Sequence, residues 1–465
     1  MEIKRPNILY IMSDDHGWQA MSCYGSRINR TPNLDRIANG GVRLDNCFCT
    51  NSICAPSRAV ILSGKYSHLN GVKTLADKFD GRQVTFPKLL QASGYQTALF
   101  GKWHLGHGGD SDPTGFDDWK VLPGQGKYHN PIFIEAEGIE REVPGYVTTL
   151  TTDFSLDWLE ARDKSKPFLL TCHFKAPHGP WEPDHKHEKL YEDVEIPEPD
   201  TLYDNYSNRS GAARAAKMRI DRDLPNRIPK YQIAEGLSET EARKRIYQHF
   251  IKDYLRCVAS IDENVGRLLD YLDEQGLTED TIVVYTSDQG FYLGDHGWYD
   301  KRFMYEESLR MPCLIKYPRE IPAGTCTDAF AVNVDFAQTL LDYAGIEASK
   351  EMQGCSLRPI LEGQVPEGWQ TSVYYRYWMH LDKIHNVYAH YGVRTEKYKL
   401  IYYYGEALGS SGAQDISTPK EWELFDLEKD PRELYNVYGR PEYAEITVQL
   451  ERELERLREK IGDTD

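Results

Sequence analysis

The sequence predicts an α/β protein whose main sheet is mostly parallel and covered by helices on both faces. Two observations carry this prediction: the strand-like segments are almost continuously apolar, and helical patterns separate them along the chain. Continuous apolar runs are typical of strands buried on both faces, and strands that alternate with helices favour a doubly wound sheet. The strand-like segments are NILYIM (7–12), QTALFGKWH (96–104), FLLTCHFK (168–175), TIVVYTSD (281–288) and CLIKYP (313–318).

Two helices and one irregular segment are predicted between these strands. Residues 31–41 begin with Thr-Pro and end with two glycines, which is typical of a helix start and a helix stop. In residues 261–272 apolar side chains recur every three or four positions, which indicates one face of a helix ending near Gly276. Residues 182–245 are charged, contain prolines and show no clear period. We expect them to cross the sheet edge and to wall a substrate pocket.

The last hundred residues predict a separate subdomain. The segments VYYRYW, YGVRTEKYKLIYYY and WELFDLEKD are rich in aromatic residues and indicate antiparallel strands. Residues 450–461 place apolar side chains on one face of a closing helix and a solvated Glu/Arg run on the other. We therefore divide the chain into a catalytic domain of residues 1–365 and a C-terminal α+β subdomain of residues 366–465.

Composition and charge exclude several functions. The 465 residues are 40% hydrophobic and 27% charged, and the formal net charge is −17. Such an acidic chain is not expected to bind nucleic acid or an anionic membrane surface, because both need basic patches. No segment reaches the roughly 18 consecutive apolar residues of a membrane span. The apolar run of residues 8–12 is too short for a signal peptide, so the expected location is the cytoplasm.

The nine cysteines do not suggest a disulfide framework, because their number is odd and their spacing shows no paired pattern. Cys47 and Cys49 lack the two-residue gap of typical zinc or redox pairs. We expect most cysteines to be reduced and buried. Cys54 stands apart, because it opens the segment CAPSRAVILSG (54–64), in which a Pro-Ser-Arg sequence leads into an apolar run.

Charged and imidazole side chains follow four of the predicted strands, each beside a glycine or a proline. In a parallel sheet such strand ends meet at one edge, and ligands bind there. We therefore expect the four segments to contribute to one site. They are SDDHG (13–17), GKWH (101–104), APHGPW (176–181) and SDQG (287–290).

Two of these segments offer hard oxygen donors. Asp14 and Asp15 follow the first strand, and Asp288 and Gln289 follow a later one. Three carboxylates and an amide oxygen suit Ca²⁺ or Mg²⁺ and not zinc. The alternative is that the aspartates cap helices and form turns and that Gln289 is a loop residue. Two acidic clusters at matching strand ends favour the metal site.

Four basic side chains accompany these oxygen donors. Lys102 and His104 share one face if their strand continues, His178 lies in a loop bracketed by prolines, and Lys301 follows GDHGWYD. Taken singly, such residues are more often structural or solvated than catalytic. As a set they provide donors for an anion and a general acid or base near neutral pH.

The segment CAPSR (54–58), followed by Ser63-Gly64, resembles the signature of the type I, formylglycine-dependent sulfatases of the alkaline-phosphatase-like superfamily. The resemblance covers nearly the whole chain and is closest to bacterial carbohydrate sulfatases. It implies a large mixed, mostly parallel sheet sandwiched by helices, plus a smaller C-terminal antiparallel sheet with a terminal helix. The further matching segments, in the family's order, are PNILYIMSDDHG, TPNLDRIANGGVRLDNCF, GYQTALFGKWHLG, APHGPW, TSDQGFYLGDHGWYDKRFMYEESLRMP, VRTEKYKLI and ELFDLEKDPRELYNV.

In that family the motif cysteine is oxidised to Cα-formylglycine, so the resemblance implies this modification for Cys54 and a formylglycine-generating maturation enzyme as a partner. The hydrated aldehyde is a gem-diol, in which one oxygen attacks sulfur and the second expels sulfate. A serine would remain sulfated, and a cysteine thiolate would be a poor equivalent. The reaction implied is hydrolysis of a sulfate ester.

The resemblance also implies one divalent cation, Ca²⁺ with Mg²⁺ as the alternative, which polarises a sulfate oxygen and helps to ionise the gem-diol. Many sulfatases have Asn or His where this chain has glutamine, which carries the same amide oxygen on a longer arm. The implied ligands are Asp14, Asp15, modified Cys54, Asp288 and Gln289.

Five further residues receive implied catalytic roles. Arg58 would hold the formylglycine and offset charge. Lys102 and Lys301 would bind the sulfate oxygens as charge builds up. His178, with Lys301, would protonate the leaving alkoxide, and His104 would take the proton of the second hydroxyl during elimination.

The resemblance implies a sulfated sugar as substrate, for example a hexosamine 6-sulfate from a glycosaminoglycan. We expect a small saccharide rather than a polymer, because a chain of charge −17 would repel an extended polyanion. Aromatic side chains stack on sugars, although core packing is the commoner role of each. The candidates for substrate contact are His16, His296, Trp181, Trp298, Tyr299 and Tyr374.

Two alternatives stay open at this point. A phosphonate monoester or phosphodiester hydrolase of the same superfamily can use the same nucleophile, although APHGPW and KRFMYEESLRMP look more like carbohydrate sulfatases. A non-catalytic metal-binding homologue would result if Cys54 were never converted.

Overall fold

The computed structural model describes residues 5–233 and 236–464. The strands are β1 (Asn7–Ser13), β2 (Val42–Leu44), β3 (Cys47–Phe48), β4 (Gln96–Lys102), β5 (Asp118–Leu122), β6 (Ile132–Glu135), β7 (Glu140–Glu142), β8 (Phe168–His173), β9 (Thr281–Ser287), β10 (Tyr292–Leu293), β11 (Tyr299–Asp300), β12 (Cys313–Lys316), β13 (Thr325–Thr327), β14 (Ala331–Val332), β15 (Ser372–Tyr377), β16 (His390–Thr395), β17 (Tyr398–Tyr403) and β18 (Glu421–Asp426). The α-helices are α1 (Pro32–Asn39), α2 (Cys54–Ser63), α3 (Ser67–Asn70), α4 (Phe86–Ala92), α5 (Val147–Ala161), α6 (Gly211–Ala215), α7 (Asp223–Arg227), α8 (Glu239–Glu274), α9 (Glu306–Leu309), α10 (Phe336–Tyr343), α11 (Arg358–Leu361) and α12 (Ala444–Ile461).

Ten strands form the main sheet, in the order β13-β2-β12-β9-β1-β8-β4-β5-β6-β7. The central strands β9, β1, β8, β4 and β5 pair in parallel. Antiparallel pairs occur on both sides of this block, between β12 and β9 and between β5, β6 and β7. The predicted mixed, mostly parallel sheet is confirmed.

Both faces of the sheet are covered, as the continuous apolar runs predict. Alternate side chains of β1 enter two different clusters: Ile8, Tyr10 and Met12 belong to one, and Leu9 and Ile11 belong to the other. Helices α2, α4 and α10 contribute buried side chains to the first cluster, and α1, α5 and α8 contribute to the second. The helices therefore sandwich the sheet.

Several predicted boundaries are wrong. The strands expected over 168–175 and 313–318 end two residues early, at His173 and Lys316. The strand expected over 96–104 ends at Lys102, because His104 has a positive φ of 59° that no strand accommodates. The irregular segment expected over 182–245 contains the short helices α6 and α7 and the first residues of α8. Helix α8 begins with a capping box in which Ser238 and Glu241 bond each other's backbone N–H groups, and the Ser-x-x-Glu pattern is a sequence signal for it.

The C-terminal part forms the predicted antiparallel sheet, in the order β15-β16-β17-β18. The predicted apolar face of α12 packs on this sheet, because its residues Leu450, Leu454, Leu457 and Ile461 share a cluster with side chains of the strands. The boundary between residues 365 and 366 stays a prediction.

Among the helices of the described chain, none is both long and apolar enough to cross a membrane. None of the nine cysteines pairs in a disulfide, and six of them are buried.

The C-terminal sheet also covers the segment that leads into α2. The backbone N–H of Arg376 in β15 donates to the carbonyl of Thr50 at 3.0 Å, and the N–H of Ser52 donates to the hydroxyl of Tyr375 at 3.1 Å. The Tyr375 hydroxyl in turn donates to the carbonyl of Arg302 at 2.5 Å. Strand β15 therefore fixes two positions of the backbone just before α2 begins.

One glycine of β4 is required by its surroundings, and we predict that Gly101→Ala destabilises the protein strongly. Gly101 has a φ of +103°, and a Cβ there would overlap the carbonyl oxygen of His173 in the neighbouring β8. The expected loss in the free energy of unfolding is at least about 3 kcal/mol, the sum of a left-handed conformation and an overlap that backbone cannot relieve. Urea denaturation of the purified variant measures it.

Gly94→Ala is the matched control, because Gly94 has a similar φ of +93° and a Cβ there meets no atom of the described chain within 4 Å. It isolates the cost of the positive φ, about 1–2 kcal/mol. Equal losses for the two variants would show that the contact between β4 and β8 imposes no constraint at Gly101.

Candidate active site

The carboxyl ends of four strands meet at one place, as the sequence predicts. The backbone N–H of Asp14, after β1, donates to the carbonyl of Ala176, after β8, at 3.1 Å. The N–H of Asp288, after β9, donates to the carbonyl of Ser13 at 3.2 Å. Lys102, the last residue of β4, reaches the Asp14 carboxylate with its ammonium. The chain therefore brings together side chains that are far apart in sequence, such as Asp15 and Gln289, which are 274 residues apart.

Three buried carboxylates form a group that fits a divalent cation. One oxygen from each of Asp14, Asp15 and Asp288 lies within 4.8 Å of the others, and the three residues are 0–1% exposed. Among the described residues, Asp14 Oδ1 and Gln289 Oε1 are buried acceptors without a hydrogen-bond donor. Buried oxygens need a partner, and a hard cation is the partner that such an oxygen set selects.

Cys54 is the first residue of α2 and faces this group. Its Sγ lies with Asp14 and His178 in a second cluster of potential ligand atoms and is 3.6 Å from Lys301 Nζ. The residue is 1% exposed. Burial, with the Asp14 carboxylate nearby, raises the pKa of the Cys54 thiol to about 12. An unmodified Cys54 would therefore be a neutral thiol at neutral pH rather than a nucleophilic thiolate.

Three buried cations balance the three carboxylates. Arg58, one turn into α2, donates from Nε to Asp288 Oδ2 at 3.0 Å and from Nη1 to the carbonyl of Lys102 at 2.9 Å. Lys102 pairs with Asp14, and Lys301 donates to Asp15 Oδ1 at 2.5 Å. The protein atoms of the site thus carry three formal charges of each sign.

The pKa values of the carboxyl groups are spread by this arrangement. Burial opposes ionisation of Asp14, but Lys102 and the neighbouring cations outweigh it and hold the pKa of Asp14 well below its usual range. Burial raises the pKa of Asp15 to about 6 despite Lys301, and burial together with Asp14 raises the pKa of Asp288 to about 7. A divalent cation would stabilise the ionised form of all three.

Two predicted histidines lie beside the charged group. His178 Nε2 is 3.7 Å from Asp15 Oδ2, and its Nδ1 is 2.7 Å from the carbonyl of Gly179, which can only accept a hydrogen bond. Nδ1 is therefore assigned as the protonated nitrogen. His104 follows Lys102 after the strand end. Burial, with the Lys102 charge nearby, holds the pKa of both imidazoles well below the usual value.

A cavity of about 290 Å³ opens onto Asp15 and His178. Trp181 and Tyr299 form part of its wall, and the predicted segment 182–245 contributes Arg227 to it. The ring of Trp181 is 2% exposed and packs edge-to-face on Phe250 at 4.7 Å, so most of this side chain belongs to the core. The volume of the cavity is near the lower limit of small-molecule sites, roughly 300–1,000 Å³.

Sequence analysis missed a second charged network at this cavity. Asp300 lines it, bonds Arg302 Nε at 3.1 Å and lies 3.2 Å from His385 Nε2. Arg227 Nη1 is 2.6 Å from the same nitrogen of His385. Two of these residues, Asp300 and Arg302, flank the predicted site residue Lys301, and this proximity is a signal that the sequence offers. Arg227 and His385 lie in no local pattern that would indicate a site.

Several residues proposed to contact substrate have partners within the protein, and their contact with substrate stays a prediction. His296 is fully buried in a separate network, with Nδ1 3.2 Å from Asp204 and Nε2 3.5 Å from Glu307. Those carboxylates outweigh the effect of burial and raise the pKa of His296 to about 9. His16 turns toward β9, where its Nδ1 is 2.6 Å from the Tyr285 hydroxyl.

Two aromatic candidates are also structural. Trp298 stacks on Phe303 at 4.9 Å and is fully buried. Tyr374 lies in β15, where its hydroxyl donates to Asp463 near the end of the chain. Burial in packed aromatic clusters, rather than access to a ligand, explains both positions.

The chain matches known protein families and relatives along most of its length. The sulfatase family model matches residues 6–346, and a model described as N-sulphoglucosamine sulphohydrolase, C-terminal, matches residues 294–460. The N-acetylglucosamine-6-O-sulfatase of Bacteroides thetaiotaomicron is 44% identical over 509 aligned positions, which cover 100% of this chain and 88% of that protein.

Two solved structures extend the comparison. A protein in complex with its substrate D-glucosamine-2-N,6-O-disulfate superposes with a TM-score of 0.91 at 43% identity, over 99% of both chains. A phosphonate monoester hydrolase from Silicibacter pomeroyi superposes with a TM-score of 0.75 at 20% identity, over 98% of this chain and 96% of the other, a likeness of fold alone. The sulfatase model spans more than half of the chain and the N-acetylglucosamine-6-O-sulfatase aligns with all of it, so the protein belongs to the sulfatase family and is a hydrolase of sulfate esters.

Proposed function

We propose that the protein removes the 6-O-sulfate of a small saccharide with a terminal sulfated glucosamine, using Cys54 converted to Cα-formylglycine and one Ca²⁺ ion. The observation that carries the proposal is a sugar-sized cavity that opens onto Asp15 and His178 beside Cys54. The relatives named above, one a 6-O-sulfatase of N-acetylglucosamine and the other bound to a 6-O-sulfated glucosamine, support this choice of substrate.

The environment of Cys54 supports the conversion. A thiol with a pKa near 12 is a weak nucleophile at neutral pH. Lys301 and the N-terminal end of α2 lie next to residue 54, where both would stabilise an oxygen anion. A hydrated aldehyde supplies two hydroxyl groups at this position, one to attack sulfur and one to release the sulfate afterwards. Residues 54–58 then serve both as the maturation signal and as the catalytic segment.

The basic side chains bind the sulfate and move protons. Lys102 and Lys301 hold their ammonium groups against Asp14 and Asp15, where they bind sulfate oxygens as negative charge builds up. Arg58 anchors the Asp288 carboxylate and the start of α2. A bound anionic substrate would raise the pKa of His178, and the resulting imidazolium protonates the leaving sugar oxygen together with Lys301. His104 accepts a proton when the sulfate is released.

Charge balance supports a divalent cation held by Asp14, Asp15, Asp288 and Gln289. The protein groups of the site sum to zero formal charge, so a bound Ca²⁺ would give the net positive charge that an anionic sulfate ester requires. Such an ion supplies a Lewis acid that withdraws electrons from a sulfate oxygen. The buried acceptors without donors, Asp14 Oδ1 and Gln289 Oε1, are the atoms that gain a partner.

Cavity size and charge support a small substrate. A cavity of about 290 Å³ suits one sugar ring, and Arg227 contributes a guanidinium to its wall. The −17 chain would repel a long sulfated polymer. A glucosamine that carries two sulfates brings a second anionic group, for which this guanidinium is a suitable partner.

The substrate prediction is tested with a panel of esters at equal concentration. We expect kcat/KM for glucosamine 6-sulfates to exceed that for intact heparin, and kcat/KM for an aryl sulfate to exceed that for the matching aryl phosphonate. Sulfate release measured by ion chromatography follows the first comparison, and chromophore release follows the second. Equal rates on heparin and monosaccharide, or a hundredfold preference for the phosphonate, would contradict the proposal.

The nucleophile prediction concerns Cys54. Cys54→Ala is expected to lower turnover by at least about 10³-fold, because the attacking oxygen disappears while the apolar packing around it changes little. Cys54→Ser is expected to lose turnover as well, unless the maturation enzyme accepts serine. Mass spectrometry of the wild-type peptide containing residue 54, purified from the native host, should show a loss of about 18 Da against the cysteine form. An intact thiol in an active enzyme would refute the assignment.

The metal prediction has a readout in stability as well as in activity. After chelation, Ca²⁺ added at about 100 times its Kd should stabilise the wild type by about 3 kcal/mol and raise its Tm. Asp288→Asn should lose both this shift and turnover, because it removes one ligand charge from the group. Asp262→Asn, in α8 outside the site, is the control and should keep the Ca²⁺-dependent shift. A wild type whose Tm ignores both Ca²⁺ and Mg²⁺ would exclude the site.

A further inference from the structure

A loop that the sequence analysis did not single out contacts two of the proposed catalytic residues. It consists of residues 123–128, Pro-Gly-Gln-Gly-Lys-Tyr, and is called here the clamp loop. It follows β5, which pairs in parallel with β4 so that Leu122 lies opposite Lys102. The clamp loop therefore starts beside the end of β4 and continues over the site.

Gln125 of the clamp loop holds the ammonium of Lys102. The amide oxygen Oε1 accepts a hydrogen bond from Lys102 Nζ, whose other partner is the Asp14 carboxylate. Lys102 is fully buried, whereas Gln125 is partly exposed. A neutral acceptor fixes the direction of the ammonium without cancelling its charge, which is the property that a sulfate-binding cation needs.

Tyr128 of the same loop holds the backbone of His178. Its hydroxyl donates to the His178 carbonyl at 2.7 Å, and its ring is 1% exposed. The Lys175 ammonium lies over the same ring, 4.7 Å from its centre. The His178 side chain is aligned in turn by the carbonyl of Gly179. Tyr128 thus connects the loop after β5 to the loop after β8.

The backbone of the clamp loop is fixed on both sides of Gln125. Gly124 and Gly126 have positive φ values of 54° and 67°, and the N–H of Gly126 donates to the carbonyl of Pro123 at 3.0 Å in a tight turn. The carbonyl of Tyr128 accepts from Val147 N at 2.8 Å, which ties the loop to the first residue of α5. The loop is therefore built to place side chains, not to move over the site.

We propose that the clamp loop positions Lys102 and His178 for catalysis, through Gln125 and Tyr128 respectively. This inference rests on the roles given to those two residues in the proposed function. Gln125 orients the cation that binds the sulfate, which is the same group in every substrate. Tyr128 orients the acid that protonates the leaving oxygen, which matters most when that oxygen leaves as a strongly basic alkoxide.

The test uses the dependence of rate on the leaving group, which a merely structural role would not change. The full-length enzyme is assayed on a series of sulfate esters whose leaving alcohols range from weakly basic phenols to sugar hydroxyls. Gln125→Leu should lower kcat/KM by about 10- to 100-fold on every member, the worth of one hydrogen bond to a charged group. Gln125→Asn, which keeps a neutral amide acceptor on a shorter arm, should restore part of the rate.

Tyr128→Phe should lower kcat about tenfold on the esters with the most basic leaving groups and leave those with weakly basic ones nearly unchanged, since one hydrogen bond is lost and only the proton transfer depends on it. The plot of log kcat against leaving-group pKa should therefore become steeper. Gln125→Leu should shift the same plot without changing its slope.

Two control variants separate these effects from loss of folding. Tyr146→Phe removes a comparable hydroxyl, which donates to the carbonyl of Glu182 at 3.1 Å from a ring stacked on Tyr128. Lys127→Ala removes an exposed side chain of the clamp loop itself. Both should keep wild-type slopes and rates within about twofold, with circular dichroism and Tm recorded for every variant.

Three outcomes would overturn the inference: unchanged rates in Gln125→Leu and Tyr128→Phe, equal losses by Tyr128→Phe across the whole series, or the same slope change in Tyr146→Phe. Failure of the proposed function gives a different result. In that case the wild type would cleave other sulfate esters but not glucosamine 6-sulfates, and the slopes would still be compared on the esters that it cleaves.

Discussion

The confinement of three carboxylates and three cations in one buried volume is the constraint on which this structure depends. Isolated charges are very costly to bury, and breaking one member of a buried pair leaves its partner uncompensated. Asp14, Asp288 and Arg58 are almost completely shielded from solvent and bond one another or their neighbours. Each strand end must therefore deliver its side chain to a defined place, and the long parallel sheet provides that accuracy.

The same confinement prepares the site for its reaction. Ammonium and guanidinium groups fixed in a low-dielectric environment interact with a developing negative charge much more strongly than they would in water, and they need no reorganisation at the moment of reaction. Lys301 illustrates the arrangement, because it bonds Asp15 while its Nζ also lies against Cys54. Sulfate ester hydrolysis requires cationic groups around the sulfate, and the folded chain holds these groups in place before any substrate binds.

The sequence predicts the parts of the site that a local pattern encodes. It does not predict the parts that depend on how segments distant in sequence pair in the fold. The central strands were recognisable because burial on both faces leaves a continuous apolar run, and Asp14, Asp288 and Lys102 were recognisable because strand ends carry ligands. The left-handed conformation of His104 has no signal in its own residue type. The pairing of Gln125 with Lys102 depends on the register of β4 and β5, which no local pattern encodes.

Cys54 is buried against Lys301, and strand β15 bonds the residues just before it. This burial has a consequence for biosynthesis. A modifying enzyme that must enclose residues 54–58 cannot reach them in the folded protein, where Cys54 is 1% exposed. During translation, however, these residues leave the ribosome roughly 300 residues before β15, an interval of about 15–60 s at ordinary elongation rates. The oxidation proposed for Cys54 is therefore in kinetic competition with the closing of the fold, and slower chain elongation would increase the fraction of molecules that become active.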